Sequence, residues 1–264
     1  MRVYLINLER RKDRLGAMQE QAACLGLRLE RMVALDAGTA DRDAVNRRFA
    51  QWFAKTGPLG EIPAGDKACL LSHRAAWERL AASGEAHAVF LEDDVRLSRV
   101  AGPMLASDAW IPAGAEVVKL EHYGPPGQRV LLADLHAAGE DFRMGRMLSR
   151  HTGGAAYILS HKAAMMLLAE QRFDLPVDHL LFNPNNSRLF GRLKPWQLLP
   201  AIARQVEFVG DKSDIEKTRE GLRTLSPTYV KRELLRFAYD LKLFPRQIAA
   251  LLTGAKFVAV RTAD

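Results

Sequence analysis

The chain alternates between two hydrophobic periods. Residues 2–7, RVYLIN, form a nearly unbroken apolar run of strand length. Over residues 10–26, Leu15, Met18, Ala22 and Leu25 recur at helical spacing, and Gly26 is placed to end the helix. Residues 29–35 then alternate like a second strand. Strand, helix and strand in so short a stretch form a βαβ unit, for which parallel pairing is the default. A helix is predicted over 41–55, a Gly- and Pro-containing loop over 56–65, and a long helix over 67–82. That long helix carries Cys69, Leu70, His73, Ala76, Trp77 and Leu80 on one broad face. Strands follow at 88–91, 115–120 and 153–160, the last leading through Ser160 as a cap into a helix over 161–171. Residues 121–149 read as an irregular stretch, and residues 229–253 as a helix interrupted at Pro245. The pattern is that of an α/β fold.

The strand at 88–91 ends in three consecutive acids, Glu92, Asp93 and Asp94. Open α/β sheets bind ligands at the carboxyl ends of their strands. Like charges so close repel unless a positive group lies between them. A hard divalent cation bridging to a phosphate is a natural neutraliser, because magnesium and manganese prefer oxygen ligands. A solvated acidic turn is the plainer alternative.

Composition adds bounds. The 264 residues, 48% hydrophobic and 26% charged, suit a globular protein with one large domain, or one plus an appendage. No apolar run is long enough to span a bilayer, and the N-terminal run lacks the features of a signal peptide. A cytoplasmic location is the expectation. Cys24 and Cys69 match no metal-ligand spacing and are expected as two buried thiols. The net charge of +7 is concentrated from Lys217 onward, where ten Lys/Arg stand against four Asp/Glu. A basic tail suits an anionic membrane surface, a nucleic acid or an acidic glycolipid.

The chain resembles glycosyltransferase family 25, the bacterial lipopolysaccharide glycosyltransferases of β-galactosyltransferase type. The resemblance rests on VYLINLERRKDR at 3–14, ALD at 34–36, KACLLSH at 67–73 and FLEDD at 90–94. It continues through KLE at 119–121, HTGGAAYILS at 151–160, VD at 177–178 and a weaker block at 210–219. It implies a GT-A-like, Rossmann-type mixed sheet flanked by helices over residues 1–219, with 220–264 as a basic helical extension. It further implies a UDP-sugar donor, a divalent cation (Mn2+ or Mg2+) and inversion at the anomeric carbon. The acceptor would be a lipid-linked or oligosaccharide glycan, and no nucleic acid is expected.

The resemblance also assigns roles. The acidic triplet takes the DxD part, with Asp94 and Glu92 as cation ligands and Asp93 beside them. Arg10, Arg11 and Arg14 begin the first helix, where a phosphate is favoured. Ile6, Asn7 and Leu8 at the first strand's end, and Asp36 at the second's, are placed for base and ribose. Lys67, Ser72 and His73 are further donor-site candidates, and Gly153 and Gly154 would let backbone approach the sugar. An inverting transfer needs a carboxylate base near the acceptor hydroxyl. Asp178 is the first candidate and Glu121 the second, while His151 could contact metal or phosphate. A nucleotidyltransferase and a non-catalytic nucleotide-sugar-binding protein remain the alternatives. A basic tail with an apolar helical face at Leu234, Leu235, Ala238, Leu241 and Phe244 would either hold the protein at the inner membrane face or pack on the domain.

Overall fold

A computed structural model describes residues 1–50, 60–125, 127–206 and 227–264. Its centre is a nine-stranded mixed sheet of order β12-β7-β8-β10-β5-β9-β3-β1-β2. The chain enters through β1 (Arg2–Leu8), α1 (Lys12–Cys24) and β2 (Leu29–Ala34), and β1 pairs in parallel with both β2 and β3 (His87–Glu92). β9 (Ala156–Ser160) runs antiparallel between β3 and β5 (Val117–Lys119). β10 (Pro195–Leu199) continues the sheet towards β7 (Arg129–Ala137) and β8 (Arg143–Met147).

The apolar runs are continuous because both faces of the sheet are covered. Tyr4, Ile6, Phe90 and Tyr157 join one core, whereas Val3, Leu5, Val89, Leu91 and Ile158 join the other. Successive side chains point to opposite faces, so each strand needs apolar residues at both parities. The first core is closed by α3 (Ala64–Ser83), α5 (His161–Leu168) and α6 (Val177–Phe182), which supply Leu70, Trp77, Leu80, Ala163, Leu167 and Leu181. α3 stops at Gly84, which adopts φ +75 as a left-handed cap.

A small second sheet, β4-β11-β6, branches off where the acids lie. After β3 the chain turns through Asp93 and Asp94 into β4 (Val95–Leu97), and after β5 it passes into β6 (Glu121–His122). β11 (Ala203–Gln205) pairs with both. The ends of β3 and β5 therefore meet at the junction of two sheets.

Several expectations require correction. The first helix begins at Lys12, leaving Arg10 and Arg11 ahead of it. The second, α2 (Arg42–Arg47), is capped by Asp41 and ends early, because Phe49 bridges to Phe173 and Ala50 N–H bonds Phe173 O. Residues 121–149 are not irregular, since β7 and β8 form a hairpin in the main sheet. Cys24 is exposed and Cys69 half-buried, so they are not two buried thiols. The basic C-terminal segment holds a 26-residue helix, with α4 (Ala101–Ala106) and α7 (Phe190–Leu193) preceding it as α8 (Pro227–Leu252). Beyond α8, however, β12 (Lys256–Ala259) returns to pair with β7. The end of the chain is thus part of the sheet. The expected boundary at 219 and the block at 210–219 lie outside the described residues. Among the described residues no helix is long and apolar enough to cross a membrane.

The packing of α4 on the end of α1 leaves no room at Gly102, where an added Cβ would lie 2.3 Å from Leu25 O. Gly102→Ala must move backbone against backbone, so a stability loss of about 1–3 kcal/mol is expected. Denaturant unfolding checks this, and an unchanged midpoint would refute the contact.

Candidate donor and cation site

The three acids of the triplet meet three different environments. Asp93, buried, accepts from Asn7 Nδ2 at 2.7 Å and pairs with Arg14 at 3.0 Å. Asn7 is itself fixed by Arg31, which donates to its Oδ1 at 2.8 and 3.0 Å. The middle acid is therefore neutralised inside the fold. Glu92 ends β3 on the face towards α3, where His73 Nε2 lies 3.2 Å and Cys69 Sγ 3.9 Å from its Oε1. Among the described residues Asp94 Oδ1 is buried with no hydrogen-bond partner, while its Oδ2 is 3.7 Å from Arg14.

Burial pushes the Glu92 carboxyl up to about 8, assisted by the charges of Glu121, Asp93 and Asp178. Burial likewise raises Asp94 to about 8, with Glu92 adding repulsion and Arg14 opposing it. Two acids held so far from their ordinary values, one with an orphaned oxygen, form a site short of positive charge. Oxygen donors of this kind fit a hard divalent cation, which Asp94 and Glu92 would hold.

A cavity of about 200 Å³ opens beside them. Ile6, Leu8, Arg10, Arg11, Arg14 and Asp36 line it, with Ser72 and all three acids. Arg10 pairs with Asp36 at 2.7 Å. The Gly38 N–H first, and then Arg10, hold the Asp36 carboxyl below the usual carboxylate range. Ser72 accepts from Leu35 N–H at 2.8 Å and donates to Ala68 O at 2.8 Å, tying α3 to the end of β2. Asn7 acts from behind, through Asp93. Lys67 does not line the cavity; it donates to Asn46 Oδ1 at 2.8 Å and lies over the Phe49 ring. His73 is fully buried behind Glu92, and burial lowers its pKa to about 3.

The remaining candidates gather around the end of β5. Lys119 and Glu121 are fully buried and paired at 2.7 Å, and Lys119 also donates to Gly153 O. Glu121 Oε1 accepts from Ala155 N–H at 2.9 Å, while its Oε2 is buried without a partner among the described residues. Asp178, in the first turn of α6, receives the Gly153 N–H at 3.5 Å and is not the helix cap, which is Pro176. Gly153 adopts φ +93, and a Cβ there would lie 2.7 Å from the Tyr123 side chain. A Cβ on Gly154 would press on Val177 and Asp178. This group does not line the cavity, yet the charges of Glu121 and Asp178 raise Glu92, so the two groups adjoin. His151 is fully buried, bonded to Gln197 and Tyr123, and does not line the cavity.

Sequence reasoning missed several residues here. Cys69 stands one helical turn before His73, a spacing that places both on one face. Lys119 ends β5 two positions before the candidate Glu121, which begins β6, and the two side chains pair across that step. Gly65, Ala68 and Gln205 line the cavity without a sequence signal, because their contribution is space or backbone position.

A family model described as glycosyltransferase family 25 (LPS biosynthesis protein) matches residues 1–181. The chain is 28% identical over 251 residues to a glycosyltransferase 25 family member of Anopheles gambiae, covering 88% of this chain and 41% of the relative. It is 34% identical over 154 residues to the lacto-N-neotetraose biosynthesis glycosyltransferase LgtB of Neisseria meningitidis serogroup A, covering 53% of this chain and 52% of the relative. To LgtE of Neisseria meningitidis serogroup B it is 28% identical over 224 residues, covering 76% of this chain and 74% of that protein. The chain thus spans about two fifths of the length of the insect relative and about half that of LgtB.

The raised carboxyls give a pH prediction for the cation-free protein. Folding lifts Asp94 and Glu92 from 3.8 and 4.5 to about 8, so the folded state binds more protons through that window. The stability these two groups contribute therefore falls as pH rises from about 4 to 8. His73 and His151, which burial lowers to about 3, act oppositely up to about 6.5, so the net decline is expected between about pH 6.5 and 8. Asp94→Asn removes one contributor and should flatten the decline, with each 1 kcal/mol moving Tm by about 2–4 °C. Added Mn2+ should restore most stability at the alkaline end. Thermal unfolding across pH, with and without Mn2+, checks both; a wild-type curve that rises between about pH 6.5 and 8 would refute the assignment.

Proposed function

The chain belongs to glycosyltransferase family 25, and on that footing we propose that it transfers a hexose, galactose or glucose, from a UDP-sugar to a lipopolysaccharide, lipooligosaccharide or related glycan. The reading includes inversion and a divalent cation, Mn2+ or Mg2+. The observation that carries it is the buried Asp94 Oδ1, unpartnered among the described residues, beside a cavity that Arg10, Arg14 and Asp36 also line. A diphosphate supplies negative charge and a ribose supplies hydroxyls. The arginines suit the first and Asp36 the second.

Asp94 and Glu92 would hold the cation, which as a Lewis acid offsets charge developing on the departing diphosphate. Arg14 already spans Asp93 and Asp94 at 3.0 and 3.7 Å, so a guanidinium is fixed beside that position. Asp178 would take the proton from the acceptor hydroxyl. Its carboxylate is partly exposed, whereas Glu121 is sealed against Lys119 and Ala155 N–H. That contrast favours Asp178 as the base and gives Glu121 the task of holding the backbone at residues 153–155.

The same proposal includes contact with an anionic membrane surface, where lipid-linked acceptors lie. α8 carries Leu234, Phe237, Leu241, Phe244, Ile248 and Leu251 at alternating steps of three and four, and all six are exposed. Its sequence holds five Lys/Arg and two Asp/Glu. An apolar stripe on a basic helix is suited to the interface of an anionic bilayer.

Turnover of UDP-sugars should require divalent metal, and Asp94→Asn should reduce it about a hundredfold or more. Asp178→Asn should abolish transfer while donor affinity stays within a few-fold. Full turnover in excess chelator would overturn the cation. Normal transfer by Asp178→Asn at saturating donor would overturn the base.

Vesicle co-sedimentation checks the membrane contact. Binding should rise with anionic lipid and weaken with salt. It should be lost in Phe237→Ser/Phe244→Ser, a pair that leaves β12 in place. Indifference of the wild type to anionic vesicles at low salt would remove this part of the proposal.

A further inference from the structure

Behind Glu92 lies a chain of buried polar groups that no step above uses. Trp77 Nε1 donates to the Tyr157 hydroxyl at 2.8 Å, the hydroxyl lies 2.8 Å from His73 Nδ1, and His73 Nε2 lies 3.2 Å from Glu92 Oε1. Trp77, Tyr157 and His73 are all fully buried. Tyr157 is stacked on Phe90 at 5.2 Å and on His73 at 5.6 Å, with Phe182 edge-on at 6.2 Å.

The direction of this chain follows from what each group can do. An indole N–H only donates, so the Tyr157 oxygen accepts from Trp77. The phenol's own proton then needs an acceptor, and among the described residues the one within hydrogen-bond distance is His73 Nδ1. A neutral imidazole that accepts at Nδ1 carries its proton on Nε2. That N–H points to Glu92. In the opposite tautomer Tyr157 would receive two donors, and its proton would face aromatic rings as an unsatisfied buried donor.

We propose that Trp77 and Tyr157 are positioning residues that fix His73 as the Nε2–H tautomer, so that this N–H holds Glu92 Oε1 at the mouth of the cavity. The Cys69 thiol supports the same oxygen from 3.9 Å. Cys69, His73 and Glu92 also stand close enough, within 4.8 Å of one another, to resemble a three-ligand site for a soft metal. The relay argues against that use, because the ring nitrogen nearest Glu92 carries a proton and has no lone pair to give. The consequence for cation binding rests on the role of Glu92 in the reading above, while the tautomer itself does not.

The first measurement is the 15N NMR long-range pattern of His73 in the cation-free full chain. The expected result is a neutral Nε2–H imidazole. A neutral Nδ1–H ring or an equal mixture would overturn the proposal, whether or not the protein turns over any sugar. The second is Mn2+ affinity by EPR. Tyr157→Phe should lose the tautomer preference and weaken Mn2+ binding by on the order of tenfold. His73→Gln, which keeps an amide N–H at the same reach, should bind within a few-fold of wild type, whereas His73→Phe should not. Equal losses in His73→Gln and His73→Phe, both folded by thermal unfolding, would leave the histidine a packing residue and overturn the positioning role. If wild type binds no Mn2+ while showing the Nε2–H ring, the cation reading fails and the relay stands.

Discussion

Three carboxylates in succession at the end of a buried strand cannot all remain charged and unpaired, and the surrounding structure is organised around that constraint. Asp93 is neutralised by Arg14 and held by Asn7. Glu92 is turned towards a neutral histidine. Asp94 is left with an oxygen that nothing in the described fold satisfies. Each solution recruits a different element: α1 supplies the arginine, β1 the asparagine and α3 the histidine. Burial raises the cost of the remaining charge, which is why Glu92 and Asp94 both hold their protons far above the ordinary carboxylate range. A protein arranged only for stability would place apolar or paired groups here.

The second constraint is the way the chain leaves the main sheet. β3 ends at Glu92 and β5 leads through Leu120 to Glu121 at the start of β6, and both paths continue into the small sheet, so Glu92 and Glu121 come together at the junction. Lys119 is the counter-charge that makes the β5 side tolerable. It is fully buried, paired with Glu121, bonded to Gly153 O and seated 4.6 Å above the Phe182 ring. Removing one partner of such a pair costs far more than the pair contributes. The Gly153 and Gly154 backbone is thus set by a salt bridge, and through it the place of Asp178.

Much of the sheet and part of the site were legible from residue order. β1, β3 and β9 announce themselves because strands covered on both faces must be apolar at every position. The acidic triplet stands out because it follows such a run directly. The β7–β8 hairpin was not legible: its partly solvated stretch around Leu135 and His136 breaks the alternation, and Gly145 makes room by losing its side chain altogether. The early end of α2 depends on Phe173, far along the chain, and no local pattern carries that. The roles of Tyr157 and Trp77 were likewise hidden, since a buried aromatic reads as core until the partner of its polar atom is known.

The pairing of β12 with β7 has a consequence for how the fold is reached. Val130 finds its partner in Val258 and Leu132 in Lys256. On a chain that emerges in order, β7 and β8 can zip into a hairpin early, but the outer edge of β7 stays open until the strand beyond α8 has been made. An open edge displays a row of unpaired N–H and C=O groups to any neighbouring chain. The interval before β12 arrives is therefore the period in which nascent molecules are most vulnerable to joining one another edge to edge.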